Sequence, residues 1–251
     1  MYKKLSVLIP IYNEKDTIKT CVESVLSADI KDLELEVIIS DNNSNDGTKE
    51  ILNSFNDKRI KVLFREQNNG KGANIKNALN EATGDLILFQ DGDLEYSPND
   101  FKDLLEPFFI YNADVVYGSR LTRARATNII GFPNYIANLI VTFLTNLLYN
   151  KIFTDIATGY KVFKKNIIKN LEITSDGFEI EPEITAKIAR LGLRVYEVGI
   201  SYYGRTYEEG KKIGWKDGIR AIYCILKYNT WDQRSWLILI NVIWLHLKKL
   251  Y

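Results

Sequence analysis

Residues 86–95 read Leu86-Ile87-Leu88-Phe89-Gln90-Asp91-Gly92-Asp93-Leu94-Glu95. An apolar run that ends in two carboxylates one residue apart predicts a buried strand whose end opens on a crevice. That is where open α/β sheets bind ligands. Asp91 and Asp93 would each cost free energy if buried unpaired. A hard divalent cation offsets that cost, because it takes oxygen ligands and keeps water and substrate phosphates in its shell. An Asp-x-Asp pair alone also fits an ordinary solvated turn, so the argument rests on what surrounds it.

Outward from this strand the first 120 residues alternate between two periodicities. Strands are predicted over residues 5–10, 36–40, 60–64, 85–90 and 113–118. Between them run apolar residues at helical spacing: Ile18, Cys21, Val22, Val25 and Leu26, with Asn13 as the expected cap; Ile51, Leu52 and Phe55; Ile75, Ala78, Leu79 and Ala82; Phe101, Leu104, Leu105, Phe108 and Phe109. Repeated βα units imply an α/β fold with a mostly parallel sheet covered on both faces. The second half is less regular. Ile136, Leu139, Ile140, Phe143, Leu144, Leu147 and Leu148 form a wide apolar stripe, with Asn138, Thr142, Thr145 and Tyr149 opposite. Strands are expected over 157–163 and 193–203, and helices from Pro182 and over 216–228 and 235–249. The simplest organisation is one domain over 1–228 and a helical appendage over 229–251.

Composition narrows the function. The 251 residues are 46% apolar, with 33 basic and 32 acidic side chains and a net charge of +1. A balanced, scattered charge excludes a general nucleic-acid binder. Two cysteines without metal-ligand spacing fit a reducing compartment, and Cys21 reads as a small buried hydrophobe. One histidine, His246, argues against a His-rich metal site. No signal peptide is visible, and no apolar run reaches the roughly 20 residues needed to span a bilayer.

Four polar segments follow strands: Pro10-Ile11-Tyr12-Asn13-Glu14; Asp41-Asn42-Asn43-Ser44-Asn45-Asp46-Gly47-Thr48; Asn69-Gly70-Lys71-Gly72-Ala73; and Asp91-Gly92-Asp93. In a parallel sheet they share one edge. Each has a plain alternative: Asp46-Gly47 is a common turn, and Gly70-Lys71-Gly72 lacks the spacing of a P-loop or a dinucleotide fingerprint. Together with Val7-Leu8-Ile9-Pro10 they resemble the family 2 glycosyltransferases of the GT-A fold. Gly118-Ser119-Arg120, Asp155-Ile156-Ala157-Thr158-Gly159-Tyr160-Lys161, Gly177-Phe178-Glu179 and the segment from Arg205 to Lys212 resemble the polyprenyl-phosphate branch, of the dolichyl-phosphate mannose synthase type. The resemblance covers residues 4 to about 228.

The resemblance implies an inverting transferase that uses Mg²⁺ or Mn²⁺ to move a sugar from a GDP- or UDP-sugar to a polyprenyl phosphate. Asp91, Asp93, Arg120 and Arg205 are the implied catalytic set. Pro10, Tyr12, Glu14, Asp41, Lys71, Asp91 and Gly92 are implied to bind the nucleotide-sugar. Arg120, Arg205 and Lys212 are implied to hold the acceptor phosphate, and Asp91, Asp93 and Glu95 the metal. Glu14 also reads as a first-turn helix acid and Arg205 as a surface cation. A phosphate acceptor is mostly dianionic at neutral pH, its second pKa being about 6, and needs no base. A sugar hydroxyl does need one, and Asp155 and Glu179 are the carboxylates nominated for it. The alternative reading is therefore a saccharide acceptor in surface polysaccharide assembly. The 136–148 stripe, Trp231, Trp236, Trp244 and Lys248-Lys249 suit a peripheral enzyme on the cytoplasmic face of a membrane, with a membrane protein as a possible partner. The sequence departs from the branch in two ways: residues 128–138 carry no basic side chain, Arg123 and Arg125 lying earlier, and the long C-terminal membrane anchor of some relatives is not expected here.

Overall fold

The computed structural model describes residues 2–122, 131–205 and 214–229. Its elements follow the chain as β1 (Lys4–Ile11), α1 (Ile18–Leu26), β2 (Glu34–Asp41), α2 (Thr48–Ser54), β3 (Ile60–Phe64), α3 (Lys71–Glu81), β4 (Leu86–Phe89), α4 (Phe101–Ile110), β5 (Val115–Ser119), α5 (Phe132–Tyr149), β6 (Lys161–Lys164), α6 (Lys165–Lys169), α7 (Ile180–Arg190), β7 (Val195–Gly199) and α8 (Trp215–Tyr228). One seven-stranded sheet has the order β3-β2-β1-β4-β6-β5-β7. Only β6 runs against its neighbours. The mostly parallel α/β fold predicted from the sequence is therefore present. The strands expected over 157–163 and 193–203 are shorter than their apolar runs, because residues 155–160 and 200–205 turn into the sheet edge.

Strand alternation builds two apolar layers. On β1, Leu5, Val7, Ile9 and Ile11 enter the layer that holds α1 and α4, while Leu8 enters the layer that holds α3, α5 and α7. The apolar stripes of α1 and α4 are buried as predicted except at their last residues, Leu26 being half-buried and Phe109 exposed; Cys21 is in the core, and burial pushes its thiol well above the ordinary range, which suits an inert core residue. Asn13 is not the cap of α1. The cap position is Thr17, and Asn13 sits at φ 53° between two loops, its N–H donating to Ser44 and its amide oxygen accepting from the Asn45 N–H. It ties the ends of β1 and β2 together.

The ends of β1, β2, β4, β5 and β7 and the start of β6 share one edge. Behind it lies a close approach of backbone to backbone. Gly70 has φ +99°, and a Cβ there would lie 2.4 Å from the Asp176 carbonyl oxygen; a Cβ on Gly72 would lie 2.4 Å from that of Ser175. The 174–176 segment is held in this position by Glu183 of α7, whose carboxylate accepts from the N–H groups of Thr174 and Ser175 and from Lys187. Burial pushes this carboxyl up, but those hydrogen bonds outweigh it and hold it at about 2.

That value lies below the ordinary 4.5, so the stabilisation is complete above pH ~4.5 and drains away as pH falls through about 2. Glu183→Gln is expected to cost roughly 3 kcal/mol at neutral pH and progressively less in acid. Denaturant titrations of both proteins at pH 7 and pH 3 check this; a gap independent of pH would contradict it.

Candidate active site

Asp91 leaves β4 into a pocket cut to receive it. A Cβ on Gly159 would lie 2.5 Å from Asp91 Oδ2, so only glycine leaves room for the carboxylate. Lys71, the first residue of α3, places its ammonium 2.7 and 3.0 Å from the two Asp91 oxygens. On its far side Glu181 Oε1 is 3.2 Å away, and Glu181 Oε2 pairs with Lys161 of β6. Burial pulls the Lys71 ammonium down, but Asp91 and Glu181 outweigh it and hold it above the ordinary lysine range. Lys161 has lost this contest: burial lowers it more than Glu181 raises it.

Asp93 sits two residues on, with Glu95 and Glu14 beside it. Arg205 bridges the group. Its Nη2 lies 3.0 Å from Asp93 Oδ2 and 3.3 Å from Glu14 Oε1, and its Nη1 lies 3.1 Å from Glu14 Oε2. Its main-chain N–H donates to Glu95 Oε1 at 2.8 Å, and the Tyr202 hydroxyl donates to Glu95 Oε2. Burial, with Asp91 and Glu95 nearby, pushes the Asp93 carboxyl up to about 7 in spite of Arg205. Four carboxylates from two parts of the chain, Asp91, Asp93 and Glu95 with Glu14, thus crowd one edge, and two cations divide them.

This crowding suits a dication, with one correction to the expected ligand set. Among the described residues no three His, Cys, Asp or Glu side chains are disposed to hold an ion together. Glu95, expected as the third ligand, is turned to Tyr202 and the Arg205 main chain. What fits is a shell of Asp91 and Asp93 completed by diphosphate oxygens and water, a common arrangement for Mg²⁺.

Arg120 is less available than expected. Its Nε and Nη2 bind Asp155 at 2.7 and 2.8 Å, and its guanidinium lies over the Tyr202 ring. Asp155 is fully buried and also accepts from the Arg120 main chain and from Asn138 of α5. Burial pushes its carboxyl up, but Arg120 and Asn138 outweigh it and hold it below the ordinary range. A base must reach the proton it abstracts with an available lone pair. Asp155, saturated by donors and sealed from solvent, is built to hold Arg120 instead.

The nucleotide-side residues line the ends of β1 and β2, with Ile11 opposite Asp41 in the register. Asp41 is fully buried; its Oδ2 accepts from the Ser44 N–H, while Oδ1 has no hydrogen-bond partner among the described residues. Arg65, which follows β3, donates its main-chain N–H to the Asp41 carbonyl, and its Nε is likewise buried without a partner. Pro10 and Tyr12 are half-buried nearby. Lys212, Arg123, Arg125, His246, the tryptophans at 231, 236 and 244, Lys248-Lys249 and the 235–249 helix lie outside the described residues.

Sequence reasoning missed Glu181, Asn138 and Arg65, and gave Lys161 and Gly159 no role of their own. Lys161 carried a signal, a charge inside the apolar run Tyr160-Lys161-Val162-Phe163 that a central strand buries. Glu181 carried none, since helix acids are ordinary.

Asp155→Asn is expected to destabilise the fold by roughly 3–5 kcal/mol, because it strands the Arg120 charge. Denaturant unfolding reads this. Unchanged stability with lost turnover would restore Asp155 as a base.

The mycobacterial glucosyl-3-phosphoglycerate synthase from Mycobacterium tuberculosis, solved with Mn²⁺, UDP and phosphoglyceric acid, superposes with a TM-score of 0.68 at 18% identity, covering 91% of this chain and 79% of that one. That likeness shows the fold, which is GT-A. Among relatives by sequence, an uncharacterised protein of Methanocaldococcus jannaschii is 28% identical over 82% of this chain and 93% of its own length. Glycosyltransferase AglJ of Haloferax volcanii is 29% identical over 79% of this chain, and the dolichol-phosphate mannosyltransferase of Pyrococcus furiosus 26% identical over 90%. The matches span 63% and 64% of those two proteins. The model of glycosyl transferase family 2 matches residues 6–172, and the chain belongs to that family.

Proposed function

We propose that the chain transfers a sugar from a nucleotide-diphosphate sugar to a polyprenyl phosphate at a membrane surface. The observation that carries this reading is the orientation of α5. Its polar side, Asn138, Thr142 and Thr145, is buried. Its apolar side faces out, with Phe132 72%, Phe143 63% and Leu147 51% exposed. Helix α8 packs beside it, Tyr149 donating to the Ile225 carbonyl, and exposes Ile219 and Tyr223 by 58% and 66%. Together they offer an apolar surface of the kind that lies in a bilayer interface. On the opposite, buried side of α5, Asn138 binds Asp155, which holds Arg120. Among the described residues no helix is long and apolar enough to cross a membrane.

The chemistry follows from the residues at the edge. Asp41 Oδ1 and Arg65 Nε, both buried without a hydrogen-bond partner among the described residues, are an acceptor and a donor that the nucleoside could satisfy only if the ends of β2 and β3 open to admit it. Asp91 and Asp93 would hold Mg²⁺ or Mn²⁺, which when bound stabilises the charge of the departing diphosphate. Lys71 stands beside the same charge. An acceptor phosphate oxygen attacks the anomeric carbon from the face opposite the leaving group and needs only orienting cations, Arg205 foremost, because it is already ionised. The relative named as a dolichol-phosphate mannosyltransferase supports this acceptor class.

A saccharide acceptor is the second reading. It needs a base, and with Asp155 engaged the remaining candidate is Glu179, whose Oε2 is buried without a hydrogen-bond partner among the described residues.

Sugar transfer from labelled UDP- and GDP-sugars with Mn²⁺ is expected to yield organic-extractable product only when polyprenyl phosphate is present. Nucleotide release without lipid product, abolished in Glu179→Gln, would favour the saccharide reading. Phe143→Asp combined with Tyr223→Asp is expected to release the protein from phospholipid vesicles in a sedimentation assay; unchanged binding would remove the membrane support.

A further inference from the structure

Both oxygens of Asp93 are already engaged. Oδ1 accepts the Glu95 main-chain N–H at 3.1 Å, and Oδ2 accepts Arg205 Nη2 at 3.0 Å. An ion bound to Asp93 at about 2.1 Å needs a lone pair that faces it. A dication so placed would also stand within a few Å of the guanidinium and repel it. Each oxygen keeps a further lone pair, so the conflict is chiefly one of charge, between the ion and the cations already at this edge.

The two are not equally held. Lys71 touches both oxygens of Asp91 and lies 3.2 Å from Glu181 Oε1, while Glu181 Oε2 pairs with Lys161. Moving it would leave a buried acid uncompensated. Arg205 is fastened at its main chain, through the Glu95 carboxylate, which Tyr202 holds in place. Its guanidinium is divided between Glu14 and Asp93, and its buried Nε has no hydrogen-bond partner among the described residues. What the side chain would give up on moving is shared between two carboxylates.

We infer that Arg205 and a divalent cation compete for Asp93, so that the guanidinium becomes available to a phosphate monoester once the cation has taken the carboxylate. Metal entry and acceptor binding are then linked through one side chain. Linkage is reciprocal: whatever factor the metal adds to phosphate affinity, phosphate adds to metal affinity. Glu14, read from sequence as a nucleotide ligand, becomes the carboxylate that parks Arg205. The inference deepens the proposed function and rests on it only for the identity of the anion, a phosphate monoester.

The test uses Mn²⁺ binding, followed by the paramagnetic signal of the free ion, in the full chain and in Arg205→Lys and Arg205→Gln. Lysine keeps the charge but cannot fork across Glu14 and Asp93. Both variants are expected to bind Mn²⁺ more tightly, by at least about fivefold, the lower range of ordinary coupling. Methyl phosphate is expected to tighten Mn²⁺ binding in the wild type and to have no effect in Arg205→Gln. Equal Mn²⁺ affinity in wild type and Arg205→Lys would overturn the inference, as would phosphate without effect on the wild type. Absence of Mn²⁺ binding in all three proteins would overturn it together with the metal-dependent reading. Mn²⁺ binding in all three, with no transfer to polyprenyl phosphate, would fault the proposed acceptor alone.

Discussion

The sheet edge depends on one buried chain of alternating charges: Asp91, Lys71, Glu181, Lys161. Its members come from the end of β4, the start of α3, α7 and β6. Each charge is tolerable inside the protein only because its neighbours are present, and removing one member of such a series costs far more than the pair contributes. The chain therefore fixes the spacing of four elements without enlarging the apolar core. It also fixes Asp91, which Gly159 admits from below and Lys71 grips from the side.

A second constraint acts through α5. An ordinary surface helix buries its apolar stripe and exposes its polar one. Here the polar side is needed inside, because Asn138 completes the donors around Asp155 and Thr142 receives the Ile156 N–H. Once those residues face inward, the periodicity of the helix forces Phe132, Phe143 and Leu147 outward. The exposed apolar face is thus a geometric consequence of how the site is held together, and it costs free energy in water unless something apolar covers it.

The difference between what the sequence disclosed and what it hid follows the same division. Strands such as 60–64 and stripes such as Ile18, Cys21, Val22 and Val25 were legible because burial imposes a period that local residues display. The placing of Asp91 and Asp93 at a strand end was legible for the same reason. The side-chain partnerships were not. Arg120 looked like a phosphate holder because nothing near it in sequence reveals that Asp155, 35 residues on, occupies two of its nitrogens. Glu95 looked like a metal ligand until Tyr202 and Arg205 came to it from more than a hundred residues away. The 136–148 stripe was correctly seen as amphipathic, yet its spacing is the same whichever side faces the core. Only the demand of Asp155 for a donor decides.

These commitments limit the positive charge that remains for a substrate. Lys71 and Lys161 are neutralised by Asp91 and Glu181, and Arg120 by Asp155. Arg205 on Asp93 and Lys71 on Asp91 are both held by carboxylates expected to hold the ion; Arg205 differs in that its other partner, Glu14, is not shared with a second buried lysine as Glu181 is. A transferase with a phosphate acceptor needs cationic donors that hold the anion without lowering its nucleophilicity through full, permanent pairing. A guanidinium released only when a dication replaces it on Asp93 meets that need, because its charge is delivered at the stage when leaving group and metal are already in place. Permanently exposed arginine at the same spot would bind free phosphate beforehand and block the acceptor. On the proposed reading, the crowded carboxylates around Asp93 would serve two ends, holding an ion and holding back the cation that the ion displaces.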